Sequence, residues 1–440
     1  MAFSFTFPTI EETVLANGLR LILLPDHEQE GLVVSAQFPF GRFCDPPSKE
    51  GVAEMVIALL QKGTQNCPFD QFSELLEYAG ASLSAEVGEE HTGIGMRMLS
   101  KSKDEILPLF IDMIRKPLLD VHEFSRIQKE MVTSLQAETV EPSIIANRHF
   151  FVELVGKEHP AGRFHSIDAI RKLQIDDVKA CYKEHMVPSN CIVIVAGDFD
   201  PDKFREKYLR SFEDWTSEST CKPCYAPVVT TARPAFRLID KPDTTQTTLV
   251  IGHSMTGEFS PDRNNIALAN YVFGAGNFSS RLMTSIRSKV GRTYGISSQV
   301  AAERFFGAFT ISTTTQNNQL EPMVDAILEQ FNDFCKNGIR EDELEKAKRF
   351  AIGNMAFQLE GIGNVAEKLL WLRFYDYPNS FVEQFDQMIN KITIDSVNAS
   401  IKSLFSPEKL IVIAVGKKSE IADQLKKIGN FKQYHFRDKV

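Results

Sequence analysis

The stretch K-L-Q-I-D-D-V-K-A-C-Y-K-E-H-M-V-P-S-N-C-I-V-I-V-A-G, residues 172–197, returns 219 residues later, without a gap, as K-I-T-I-D-S-V-N-A-S-I-K-S-L-F-S-P-E-K-L-I-V-I-A-V-G, residues 391–416. Each copy reads as an Ile-Asp helix start, an amphipathic helix, a turn marked by Pro, and an apolar strand closing on Gly. A constant offset of about half the 440-residue chain identifies an internal duplication. The polar, irregular run S-E-S-T-C-K-P-C-Y-A-P, Ser217 to Pro227, supplies the link between the copies. The predicted division is therefore a domain over 1–216, a linker over 217–232 and a homologous domain over 233–440.

Working outward, each half reads as strands, then helices, then a strand. In the first half, G-L-R-L-I-L-L-P after the A-N-G turn and L-V-V-S-A-Q-F after Gly31 predict strands. Helices are predicted around 51–62, 69–79, 103–116, 121–138 and 142–155. The second half repeats the order, with T-L-V-I-G-H as a strand, helices near 261–273 and 279–289, strands near 294–314, and helices over 320–337 and 341–359. This order predicts an α+β fold of two homologous domains, each an antiparallel-rich sheet with helices packed on one face.

Composition narrows the function. With 43% hydrophobic and 24% charged residues, and no apolar run of eighteen, nothing in the sequence reads as a membrane span. A formal charge of −9 without a basic stripe argues against a nucleic-acid partner. Seven cysteines, an odd number in a long chain, fit a reducing compartment rather than a disulfide framework. The single C-x-x-C, Cys221 and Cys224, lies in the linker without a second pair and is read as coincidence. The opening M-A-F-S-F-T-F-P has no secretory pattern, so the expected location is the cytoplasm, or the periplasm or an organelle if a targeting segment has been removed.

The chemistry-bearing stretches are G-V-A-E-M-V-I-A-L-L-Q-K-G-T, residues 51–64, and V-F-G-A-G-N-F-S-S-R-L-M-T-S-I-R-S-K-V-G-R-T-Y-G, residues 272–295. With N-G-L-R-L-I-L-L-P and G-R-F-C-D-P-P-S-K-E-G, they make the chain resemble, over nearly its whole length, the pitrilysin/insulinase family of zinc metallopeptidases. In active members the first stretch carries H-x-x-E-H before K-G-T. Two His one helical turn apart hold Zn²⁺, and the Glu activates its water. With Gly51, Lys62, Gly63 and Thr64 as anchors, the resemblance puts Glu54 at the first His, Ile57 at the Glu base and Ala58 at the second His. The third ligand, a Glu in active members, falls on Ser134, with Glu130 and Glu138 one turn away on either side.

Alanine and isoleucine neither bind a metal nor take a proton, so no metal is expected in this chain. A register slip does not help, because no His lies between His27 and His91. Glu54, Glu89, Glu90 and His91 are the candidates for a relocated metal site, but one His with scattered carboxylates is a thin ligand set. Glu54 also suits the first turn of a helix, where the dipole favours a carboxylate. His159 and His165 read as surface or packing residues.

In the second stretch the resemblance makes Arg287 and Tyr294 the substrate-binding pair, with the helix end and the following turn bringing them to one mouth. It implies a non-catalytic subunit of a heterodimeric zinc peptidase. The partner would be a homologous subunit bearing H-x-x-E-H and the zinc, and the substrate an extended or unfolded peptide. The other reading is a peptidase-like scaffold or core protein without a proteolytic role. For the isolated chain a homodimer stays open.

Overall fold

A computed structural model describes residues 4–217, 219, 223, 225–227, 234–288, 293 and 295–438, with backbone only at 287 and 288. Six strands form the first sheet: β1 (Glu11–Val14), β2 (Arg20–Pro25), β3 (Gly31–Phe38), β4 (Ser82–Val87), β5 (Thr92–Leu99) and β6 (Ile192–Gly197). Six more form the second: β7 (Ala235–Asp240), β8 (Gln246–Met255), β9 (Ile296–Ala302), β10 (Gly307–Gln316), β11 (Ile411–Gly416) and β12 (Lys432–His435).

The sheet orders are β1-β2-β6-β3-β5-β4 and β12-β7-β11-β8-β10-β9. Five strands correspond one to one. β6 runs parallel to β2 and antiparallel to β3, as β11 does to β7 and β8. The fold is thus the duplicated α+β arrangement that the repeat predicts, and over the repeated segment the 219-residue offset holds for both helix and strand. Helix Ile175–His185 and strand Ile192–Gly197 recur as helix Ile394–Leu404 and strand Ile411–Gly416. Each helix opens on a capping box, at Gln174 and Thr393, because a side-chain acceptor there meets amides the first turn leaves unbonded.

The helices used below are α1 (Val52–Leu60), α2 (Val121–Glu138), α3 (Pro142–Val155), α4 (Arg263–Asn270) and α5 (Ile362–Phe374). Near 279–289 the regular helix gives way to a wide π-type turn over Met283–Ser288. Two compact units emerge, one of residues 1–134, 165–225 and 355–385, the other of residues 135–164, 226–354 and 386–440. Each takes a helix from the other half of the sequence: α3 packs on β7, β8 and β11, and α5 packs on β6. The second unit's core is rich in phenylalanine, with Phe309 stacked on Phe331 at 5.4 Å and Phe273 at 4.6 Å from Phe334. Among the described residues no helix is long and apolar enough to cross a membrane.

Candidate functional site

The start of α1 is built by two neighbouring features. Gly51 adopts φ 101°, a left-handed conformation that admits a Cβ poorly, and a Cβ there would strike Ile170. Asp45, 3% exposed, takes the cap: its Oδ2 accepts from the Gly51 amide at 2.6 Å and its Oδ1 from the Ala53 amide at 3.0 Å. Burial pushes the Asp45 carboxyl up to about 7, against the opposing pull of those amides. One turn on, Ile57 is buried in the core and Ala58 is half-buried.

The loop G-R-F-C-D, residues 41–45, arrives beside this helix because Gly41 lets backbone meet backbone. A Cβ on Gly41 would stand 2.6 Å from the Glu89 carbonyl oxygen. The Arg42 and Phe43 amides donate to the Gly88 and Glu89 carbonyls, each at 3.0 Å. Arg42 is thereby held between two carboxylates, donating through Nε to Glu54 at 2.7 Å and through a terminal nitrogen to Glu89 at 3.0 Å. The other Glu54 oxygen lies 3.0 Å from His165 Nδ1, and His165 Nε2 stands 4.0 Å from Asp45 Oδ2. Both Glu54 carboxylate oxygens are engaged.

His91 packs 4.9 Å from Phe374, and burial lowers its pKa. Among the described residues, no group of three or more His, Cys, Asp or Glu is placed to hold a metal ion. Ser134 is exposed on α2. Glu130 pairs with Arg126, and Glu138 with Arg148 at 3.3 Å. The donor set Glu54, Ile57, Ala58 and Ser134 does not fit a zinc ion: two members carry no donor, and the one carboxylate already faces a guanidinium and an imidazole.

His159 is a packing residue, 8% exposed, accepting from the Ala161 amide at 3.1 Å and lying 5.3 Å from Phe306. His165 departs from the surface-or-packing expectation by bridging toward Glu54 and Asp45. Arg42 and Asp45 belong to the locus although the sequence shows them only as part of a family-like loop. The available signal was an acid six residues ahead of a helix-opening glycine.

In the second unit, α4 runs into a π-type turn over Tyr271–Ala275. A Cβ on Gly274 would come within 2.6 Å of the Ser298 backbone nitrogen. Ser298 Oγ donates to Asn270 Oδ1 at 2.5 Å, a buried polar pair that fixes helix to strand. Arg281 anchors the next turn by a two-pronged contact to Glu343 at 2.9 and 2.6 Å. Of the predicted substrate pair, the Arg287 backbone lies in the turn Met283–Ser288, while its side chain and Tyr294 lie outside the described residues. Cys221 and Cys224 lie outside them as well.

A family model for the insulinase family, peptidase M16, matches residues 22–150, and one for the peptidase M16 inactive domain matches residues 172–350. The chain belongs to the M16 peptidase family. An uncharacterized zinc protease of Rickettsia bellii is 23% identical over 358 residues, covering 81% of this chain and 85% of that protein. The non-peptidase homolog YmxG of Helicobacter pylori is 20% identical, covering 80% of this chain and 81% of that one. The fold matches the crystal structure of a peptidase M16 inactive domain from Pseudomonas fluorescens with TM-score 0.85, 22% identity and coverage of 93% and 98%. In the M16 frame, this is a member lacking the zinc motif, with a capped start to α1 and an Arg42-centred ion-pair cluster beside it.

Proposed function

We propose that this chain is the non-catalytic half of a two-chain M16 peptidase. It would bind an extended peptide and lend Arg287 and Tyr294 to a homologous partner that carries H-x-x-E-H. The observation that carries the reading is Glu54 held between Arg42 and His165. The locus is rebuilt as an ordered part of the fold, without the donors that hydrolysis needs. β4 supports the peptide-binding part, since among the described residues it pairs with β5 alone, and it borders α1. An open sheet edge holds an extended peptide through its backbone. The match to the M16 inactive-domain model and the likeness to a non-peptidase homolog support the loss of catalysis.

Zinc in the partner would polarise the scissile carbonyl and activate water. A guanidinium and a phenol from this chain would supply preorganised donors to the developing oxyanion. The reducing cytoplasm is the proposed compartment.

The test is reconstitution with a homologous zinc-bearing chain. Elemental analysis of this chain alone should find no stoichiometric zinc, and a chelator should leave its melting midpoint unchanged. The pair should cleave peptides that neither chain cleaves alone. Arg287→Ala or Tyr294→Phe should leave pairing intact and lower turnover roughly ten- to a thousand-fold, the range for one lost oxyanion donor. Chelator-sensitive cleavage by this chain alone would overturn the reading. Unmutated turnover in a pair carrying both substitutions would favour the scaffold role.

A further inference from the structure

The duplication accounts for five strands of each sheet but not the sixth. At the same edge position, beside β2 in one unit and β7 in the other, two unrelated segments fill the sheet in opposite directions. β1 pairs antiparallel with β2, whereas β12 pairs parallel with β7. β1 is tied down through Glu12, 2.9 Å from Arg373 and 3.5 Å from Arg20, and through Glu11 with Arg205. β12 has a different attachment. It is four residues long, with Lys432, Gln433 and His435 exposed, and it follows Gly429, whose backbone is fully extended where helix Lys418–Ile428 ends.

β12 is seated by aromatic side chains. Tyr434 lies 4.9 Å from the Arg237 guanidinium and 5.3 Å from the His149 ring. Arg237 is itself fixed by Glu153 and by His149 Nδ1 at 3.1 Å, so the socket is rigid and mostly buried. Phe436 covers the Lys241 ammonium at 5.1 Å, and Phe431 lies 5.2 Å from Phe236. Backbone pairing along a sheet edge with a preformed socket for alternate side chains is the chemistry of strand addition.

We propose that the outer edge of β7 is a docking site for an extended peptide segment, occupied at rest by β12 as a removable strap. The fitting ligand carries an aromatic residue at the place of Tyr434, over the Arg237 and His149 socket, and a second two residues on, at that of Phe436. This goes beyond the subunit reading and does not depend on it, since no zinc-bearing partner is involved.

The test uses a variant ending at Gly429 and the synthetic peptide N-F-K-Q-Y-H-F-R-D, residues 430–438, as probe. The shortened chain should bind the labelled peptide. The full chain should bind it at least roughly tenfold more weakly, because its own strap competes at high effective concentration. Tyr→Ala in the peptide should cost roughly tenfold or more, the effect of truncating an aromatic anchor. In the full chain, hydrogen exchange at Lys432–His435 should be at least roughly tenfold faster than in β11, as for a locally opening segment. A shortened chain that melts cooperatively yet ignores the peptide overturns the proposal. So does a shortened chain that fails to fold, or equal protection of β12 and β11, either of which makes β12 an integral strand.

Discussion

The first helix after the central strand of each sheet is α1 in one unit and α4 in the other, and the start of the one and the end of the other are secured by opposite means. At α1 the contacts are charged and partly open to solvent, with Arg42, Glu54, Glu89 and His165 around the capping Asp45. At the C-terminal end of α4 they are neutral and buried, with Asn270 paired to Ser298 and Gly274 pressed on the same strand, while an ion pair, Arg263 with Glu258, sits at its first turn. The difference teaches where a duplicated fold tolerates change. At the α1 end charged side chains meet one another at a partly open surface. The α4 end joins helix to strand without room for an added Cβ.

If that contrast is right, the largest effect belongs to Gly274→Val. The new side chain meets the Ser298 backbone nitrogen as well as its buried hydroxyl, so the loss should reach about 3 kcal/mol or more, read by urea unfolding. Asp45→Ala comes next, at about 2 kcal/mol, since two buried amides lose their acceptor. The same unfolding series checks it. Arg42→Ala should cost less than about 1 kcal/mol, because its side chain is 44% exposed and its ion pairs are screened. A loss at Arg42 equal to that at Gly274 would break the contrast.

The most diagnostic effects are on pH. Burial raises Asp45 to about 7 in the folded chain, above its ordinary carboxyl value. The folded state therefore holds that proton more tightly, and this contribution to stability is complete at acid pH and lost as pH rises through about 7. Burial, reinforced by the Arg237 charge, lowers His149 to about 4 in the other unit. Its contribution is present above the ordinary imidazole range and is lost as pH falls toward about 4. Hydrogen exchange between pH 4 and 8 should show α1 loosening toward the alkaline end and α3 toward the acid end, and Asp45→Asn should flatten the α1 trend. Parallel trends in both helices would contradict this assignment.

Much of the fold is legible in the primary structure because it is written in local periodicity. The Ile-Asp helix starts, the Pro-marked turns and the apolar runs ending at Gly197 and Gly416 specify elements that need no knowledge of their neighbours. The lost zinc chemistry is equally legible, since Ile57 and Ala58 have no donor in any fold. Four matters were decided only by tertiary structure. Ile145, Ala146, Phe150, Val152 and Leu154 announce that α3 is buried, yet apolar contact is non-directional and does not say which sheet covers it. The pairing of Arg42 with Glu54, twelve residues apart, depends on the turn at 88–89 meeting Gly41. His165 reaches Glu54 across more than a hundred residues. The sixth strand of each sheet was also hidden, because an edge strand is held by backbone groups common to every residue. Which segment fills that edge depends on where the chain is brought by everything that folds before it.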